Sequence, residues 1–252
     1  MSRRRRLDAE LVRRGLAVSR TQAAEAIDAK RVLVNGTVAE KSSRQVDPAD
    51  AIVIEGPPAR FVSRGGEKLD GALRAFAIDV HGRRVLDAGA STGGFTDCLL
   101  QSGAATVVAL DVGHGQLHPL IRDDQRVLVL ERYNVREIQA VDIGGPVDAV
   151  VADLSFISLK RVIGPLVGVC IGGAPMVLLV KPQFEAGRQE VSKGKGVITD
   201  PAIHERVVAE IEEALAAHGC MVHGWIDSSL VGAEGNREFL VHATTPEQGS
   251  QP

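Results

Sequence analysis

Five residues, Gly89-Ala90-Ser91-Thr92-Gly93, stand between a short apolar run and a stretch of helical pattern, and they admit two chemistries. As Gly-x-Ser-x-Gly they fit the elbow that lifts a hydrolase's nucleophilic serine above its sheet. As small residues opening a helix they fit a loop whose bare backbone lets a nucleoside cofactor lie against a strand end. The hydrolase reading needs a later acid and then a histidine in a loop. The order Ser-Asp-His is available, but His204 and His218 fall in a surface helical pattern and His223 within a strand pattern. The cofactor reading needs an acid about twenty residues on, able to bind ribose hydroxyls, and Asp111 stands there. It is the preferred reading. Ser91 takes the second glycine's place in Gly-x-Gly-x-x-Gly, which disfavours a nicotinamide dinucleotide.

Such a loop needs a sheet behind it. Strands are expected at 84–86, 107–110, 127–130, 147–152, 176–180, 221–226 and 238–241, and helices near 94–102, 159–169 and 201–218. That alternation predicts an α/β, Rossmann-like domain: a mostly parallel seven-stranded sheet with helices on both faces and ligands beyond the strands' carboxyl ends. Asp87 should close the first strand, Asp111 the second, Asp153 the fourth and Lys181 the fifth. Glu238 begins the last and reaches the same rim if that strand runs antiparallel. A lone acid at a strand end is ordinary punctuation, whereas several charges on one rim point to a site.

The net charge of −3 hides an asymmetry: residues 1–64 carry 13 basic against 8 acidic side chains, and residues 65–252 carry 16 against 24. Four consecutive arginines, Arg3 to Arg6, suit a polyanion, to which counterion release supplies affinity. No apolar segment follows them, so they do not read as a secretory signal. The uncharged stretch 162–180 is long enough for a membrane span but is interrupted by Gly164-Pro165, Gly168 and Gly172-Gly173-Ala174-Pro175. Cys98, Cys170 and Cys220 have no zinc-ligand spacing and read as reduced core thiols of a cytoplasmic protein; no metal site is expected.

In the basic segment, Leu7, Leu11 and Val12 share a helix face before Gly15, and Ser19 with Gln22 forms a capping box for a second helix reaching about Ala29. Val32 and Val34 then alternate up to Asn35-Gly36, a pair favouring a type I′ hairpin, with a return strand from Thr37. This order, the Leu-x-x-x-Gly-x-x-x-Ser-Arg turn and the Val-x-Val-Asn-Gly hairpin resemble the S4 RNA-binding domain, a small α+β fold, over residues 6–55. The resemblance implies phosphate contacts from Arg4, Arg6, Arg20 and Lys41. The expected division is residues 1–58 for this module, a linker at 59–65, a helix at 66–76 opening the Rossmann-like domain of 66–245, and a disordered polar tail at 246–252, the polar character setting in at Thr244.

The stretch "DAGASTGGFTD" resembles the first loop of the FtsJ-type methyltransferases, although Ser91-Thr92 stand where many members have Ala-Pro. The resemblance implies S-adenosylmethionine as cofactor, bound by Asp87, Gly89, Ala90, Ser91, Thr92, Gly93, Gly94, Phe95, Asp111, Val112, Asn134 and Asp153. It also implies a catalytic Lys-Asp-Lys-Glu set at Lys68, Asp153, Lys181 and Glu238. With the S4-like segment in front, the chain resembles the TlyA family, haemolysin-like proteins that methylate cytidine ribose 2′-hydroxyls in 16S and 23S ribosomal RNA, so ribosomal RNA within ribosomal subunits is the implied partner. Phe61 stands where that family's linker has a tryptophan.

A ribose hydroxyl needs a base, and a lysine serves only when neutral, a state favoured by burial and by nearby positive charge. Lys181 is the expected base, with Lys68 and the cofactor's sulfonium supplying that charge; the alternative is that Lys181 steers the hydroxyl and the proton leaves late. Arg132 and Arg136, spaced i, i+4 as on a helix, and Arg188 in a glycine-containing loop with Lys193 and Lys195 are further RNA candidates, the loop otherwise being mobile and solvated. Phe156 either stacks on a substrate base or fills the core, the core being preferred. An inactive ribosome-associated RNA-binding protein and a membrane-lytic protein are the competing functions; the full catalytic set weighs against the first and the lack of an apolar amphipathic segment against the second.

Overall fold

The computed structural model describes residues 4–17, 20–56, 59–232 and 234–247. Ser19, Pro57, Pro58 and the end of the polar tail therefore lie outside the described residues. The chain divides into two compact units, Met1–Arg64 and Gly65–Pro252, the division falling inside the segment read as a linker.

The first unit contains β1 (Arg5–Arg6), α1 (Leu7–Arg13), α2 (Arg20–Asp28), β2 (Val32–Val34), β3 (Thr37–Val38), β4 (Gln45–Val46) and β5 (Ile52–Ile54). Helices this short are not stable alone. They persist because Leu7, Leu11, Ala23 and Ile27 bury their side chains with Val32, Val34, Val46 and Ile52 in one cluster. Asn35 and Gly36 both take positive φ, 53° and 77°, as a type I′ turn requires. Beyond the expected hairpin, β5 pairs with β2 to complete a three-stranded sheet, and β1 pairs with β4.

The second unit opens with α3 (Gly65–Ala75) and continues through β6 (Arg84–Ala88), α4 (Gly94–Gln101), β7 (Thr106–Asp111), α5 (Pro119–Arg122), β8 (Val127–Glu131) and β9 (Ala149–Ala152). It finishes with α6 (Ile163–Gly168), β10 (Pro175–Val180), α7 (Pro182–Glu185), α8 (Arg188–Lys193), α9 (Pro201–Ala217), β11 (Met221–Asp227) and β12 (Phe239–Thr244). The seven strands lie in the order β11-β12-β10-β9-β6-β7-β8. The five from β10 to β8 are parallel, and β12 runs antiparallel to both its neighbours. Glu238 thus does reach the carboxyl rim. The strand order reverses between β6 and β9, where a sheet of this kind opens a crevice for ligands. One face of the sheet packs Leu86, Val108, Val150, Leu178 and Val241 into a core with Ile163, Leu166, Val207 and Ile211.

Several expectations are corrected. β6 extends to Ala88, so Asp87 lies within it, and Val147 stands outside β9 in an isolated bridge to Cys170. The helix expected at 159–169 is broken: a 3-10 turn at Leu159–Arg161 precedes α6, because Pro165 has no amide proton and is tolerated only within a first turn. Arg132 and Arg136 do not share a helix, since Arg132 has φ 58° and only the single 3-10 turn Val135–Glu137 follows. The loop after Lys181 contains α8, whose N-cap residue Gly187 donates its amide to the Glu190 carboxylate at 2.9 Å. His204 is buried with Nε2 on the Ile198 carbonyl, on the core face of α9 and not its surface. The polar tail begins later than its composition suggests, because Thr244 ends β12 and Thr245 is buried, bonding Ala174 and Ile171. Among the described residues no helix is long and apolar enough to cross a membrane.

Candidate active site

The loop from β6 to α4 is sutured to its neighbours by backbone. The amides of Gly89 and Ala90 both donate to the Leu110 carbonyl, at 2.8 and 3.0 Å, and the Asp153 amide donates to Ala88 at 2.9 Å. Gly89 has φ 88°, and a Cβ there would fall 2.5 Å from the Asp153 carbonyl, so two constraints select glycine. The result is a bare cradle at the switch point. Ser91 takes φ 48° and offers its hydroxyl to Gln116 at 3.4 Å, while His204, His218 and His223 bond Ile198, Ala214 and Thr244, which weighs against the hydrolase reading. Thr92 receives the His118 amide on its carbonyl, Gly93 packs beside Leu117 and Ile121, and Gly94 starts α4. Phe95 is buried, while Val112, directly after Asp111, is exposed.

Three carboxylates surround this cradle. Asp111 ends β7 and accepts the Ser91 amide at 2.8 Å and the Gly113 amide at 2.6 Å. Asp87 is fully buried; one oxygen accepts from the Thr96 hydroxyl at 2.6 Å, and Oδ1 has no partner among the described residues. Burial above all pushes the Asp87 carboxyl up to about 7, reinforced by the negative charges of Asp153 and Asp111 and opposed by the Thr96 bond. A buried acceptor without a donor, next to two further anions, fits a ligand that brings positive charge and N–H groups. Bound S-adenosylmethionine has both, in its sulfonium and its ammonium, so the residues present fit the group the family resemblance implies.

The four residues of the expected catalytic set form two ion pairs on the same rim. Asp153 follows β9 and Lys181 follows β10; Lys181 Nζ lies 2.5 Å from Asp153 Oδ1 and donates to Ser155 Oγ at 3.0 Å. Lys68, on α3, donates to Glu238 Oε2 at 2.5 Å, both side chains being buried. Val180 is registered opposite Phe239, so Lys181 and Glu238 occupy the next positions of adjacent strands and the two pairs are neighbours. Each lysine therefore faces an acid, which is a different arrangement from the lysine-against-lysine repulsion expected from the sequence.

Asn134 uses its side chain locally, accepting the Arg136 amide at 3.2 Å to cap the following 3-10 turn. Phe156 is 92% exposed, with φ 64°, and its ring lies 5.2 Å from that of Phe184; it does not fill the core. Arg4, Arg6, Arg20, Lys41, Arg132 and Arg136 are exposed, and Arg188 begins α8 with its side chain outside the described residues. Arg6 and Arg20 both bind Asp8, at 2.9 and 2.8 Å, which sets two guanidinium groups side by side. Sequence reasoning missed Ser155 and Glu185. Glu185 accepts from Ser158 Oγ at 2.5 Å and the Leu159 amide at 2.7 Å. Their signals were spacing alone: a hydroxyl two residues after the rim acid, and an acid four residues after the rim lysine.

Comparison with known proteins agrees with this geometry. The FtsJ-like methyltransferase family matches residues 61–245 and the S4 domain residues 5–52. A curated relative from Mycobacterium tuberculosis, the 16S/23S rRNA (cytidine-2′-O)-methyltransferase TlyA, is 52% identical over 97% of this chain and 91% of its own length. A hemolysin-named structure from Streptococcus thermophilus superposes with TM-score 0.78 at 37% identity, covering 99% of this chain and 92% of its own. The N-methyltransferase NodS from Bradyrhizobium japonicum, solved with S-adenosyl-L-homocysteine, shares the fold at 13% identity and TM-score 0.53, over 73% of this chain and 89% of its own. A cradle at the switch point, a rim of paired lysines and acids, and matches that together span both units have one explanation: the chain belongs to the FtsJ-like methyltransferase family and carries an S4 domain ahead of its methyltransferase domain.

Proposed function

We propose that this chain methylates the 2′-hydroxyl of cytidine ribose in ribosomal RNA, with S-adenosylmethionine as methyl donor and ribosomal subunits in the cytoplasm as its setting. The observation that carries this reading is the rim on which the unpartnered Asp87 oxygen, the Gly89 cradle and the Lys181–Asp153 and Lys68–Glu238 pairs converge. The substrate comes from the Mycobacterium tuberculosis relative, whose name states it.

The bound cofactor supplies an electrophilic methyl group on a sulfonium sulfur. Lys181 takes the hydroxyl proton as the ribose oxygen attacks, a role worth about 10²–10⁴ in rate for a positioned general base. Asp153 holds Lys181 by charge, and the neighbouring Lys68–Glu238 pair presents a donor and an acceptor to the ribose. Asp111 would hold the cofactor's ribose, and Asn134 and Val112 would contact its adenine. Phe156 offers an exposed ring to a substrate base; stacking of this kind is worth about 1–3 kcal/mol per base. Arg4, Arg6, Arg20 and Lys41 in the S4 domain, with Arg132, Arg136 and Arg188 in the second unit, contact phosphates and so position the RNA without reading its sequence.

The test is transfer of labelled methyl from S-adenosylmethionine to purified ribosomal subunits of both sizes by the intact protein and by Lys181→Ala. The expected outcome is label on ribose, reduced by two to four orders of magnitude in the variant while cofactor binding persists. Label on a base, or full turnover by Lys181→Ala, overturns the reading.

A further inference from the structure

A base must be aimed as well as neutral, and the structure shows what aims this one. Lys181 Nζ donates a hydrogen bond to Ser155 Oγ at 3.0 Å and forms an ion pair with Asp153 Oδ1 at 2.5 Å, a contact without hydrogen-bond geometry. A lysine nitrogen is tetrahedral, with Cε in one position and three remaining. In the neutral amine one N–H points at Ser155, and of the two positions left the charge of Asp153 turns the second N–H toward itself and the lone pair away. The charge of Asp153 alone would leave the nitrogen free to turn about Cε–Nζ, whereas the directional bond to Ser155 fixes that rotation.

We propose that Ser155 is a positioning residue for methyl transfer, acting with Asp153 to give the Lys181 lone pair a single direction toward the substrate hydroxyl. The inference rests on Lys181 being the base. The O–H bond of the ribose breaks as an N–H bond forms at Lys181; the oxygen takes the methyl carbon, the sulfur keeps the electron pair of the broken C–S bond, and the new proton occupies the third direction. The ammonium left behind keeps its hydrogen bond to Ser155 and its ion pair with Asp153, so the nitrogen does not reorient during the step.

The loop that carries Ser155 is built for this. It is tied at one end where the Asp153 amide donates to Ala88 at 2.9 Å. At the other end Ser158 and the Leu159 amide donate to Glu185, at 2.5 and 2.7 Å. Glu185 closes α7, which starts immediately after Lys181. The lysine and its hydroxyl partner therefore sit on two segments joined twice. Ser155 itself is exposed, so its hydroxyl can be removed without opening the core.

The experiment compares kcat, the KM for ribosomal subunits and the affinity for S-adenosylmethionine in the wild type, Ser155→Ala, Ser155→Thr and Lys181→Ala. Ser155→Ala is expected to lower kcat by about tenfold or more, since misaimed catalytic groups lose rate before they lose binding. KM and cofactor affinity stay unchanged, and Ser155→Thr, which keeps the hydroxyl, recovers most of the rate. Normal kcat in Ser155→Ala, or a raised KM with kcat unchanged, overturns the inference and leaves Lys181 as base. Equal losses in Ala and Thr also overturn it, by assigning the effect to shape. Full activity of Lys181→Ala, or no transfer by the wild type, overturns the underlying function and the inference with it.

Discussion

Asp8 and Glu10 in the first unit and Asp87 in the second are buried carboxylates that behave in opposite ways. In the S4 domain, Asp8 and Glu10 are almost wholly buried, yet Asp8 is held down to about 2, chiefly by its bonds from Arg6 and then Arg20, and Glu10 likewise to about 2 by Arg13 and then Arg14. In the methyltransferase domain, burial pushes Asp87 up to about 7, with Asp153 and Asp111 adding to the rise. The difference is one of completeness. The S4 carboxylates find their cations two to twelve residues away and use them to order arginines facing outward. Among the described residues Asp87 has Thr96 as its partner, and its second oxygen has none.

The largest expected effect lies on the rim and tests whether its internal pairs resemble those of the S4 unit. Lys68→Met leaves Glu238 buried without its cation, and breaking a buried pair from one side costs about 3–5 kcal/mol. Denaturant unfolding should show that loss. Lys68→Met combined with Glu238→Gln should recover most of the stability, because no buried charge is then stranded, while methyl transfer stays low. A single variant of unaltered stability would mean that the pair is open to water and comparable to the exposed arginine pairs of the first unit.

The next effect is a pH dependence of opposite sign in the two units. Asp87 has a folded pKa above its ordinary value, so its contribution is fully present below about pH 4 and is lost as pH rises through about 7. A carboxyl raised from its ordinary value near 4 to about 7 contributes at most about 4 kcal/mol in this way. Asp8 has a lowered folded pKa, so its contribution is present above about pH 4 and is lost as pH falls toward 2. Thermal unfolding followed from pH 4 to 8 should show the methyltransferase domain weakening with rising pH, Asp87→Asn flattening the trend, and S-adenosylmethionine opposing it. A trend unaltered in Asp87→Asn would place the titrating group elsewhere.

Legibility in the sequence divides along physical lines. The sheet, the glycine loop and four of the rim charges were readable because strand ends, small-residue runs and alternating periodicity are local patterns; the antiparallel β12, which brings Glu238 to the rim, was readable only as a condition. Short helices such as α7 and α8 were not, since four to six residues leave no periodicity and their stability comes from caps such as Glu190 on Gly187. Phe156 was misjudged for a related reason: hydrophobicity favours the core, but its left-handed backbone directs the ring outward beside Phe184. Ion pairing is nonlocal. That Lys68 would meet Glu238, 170 residues away, and that each rim lysine would face an acid, follows only from the folded sheet.

The smallest effect separates two roles for Asp8. Arg20→Ala removes one cation from the S4 face, so the slope of log affinity for ribosomal RNA against log salt should fall by about one, with kcat at saturating RNA unchanged. Asp8→Asn keeps every arginine but releases Arg6 and Arg20 from the carboxylate that aligns them. If Asp8 acts as an organiser, the slope stays that of the wild type and affinity falls slightly, because the two guanidinium groups must then be ordered by the RNA itself. If it acts as a competitor for the phosphates, affinity and slope both rise. The first result would make the S4 carboxylate the counterpart of Ser155, a group that touches no substrate and fixes the direction of one that does; the second would remove that parallel between the two units.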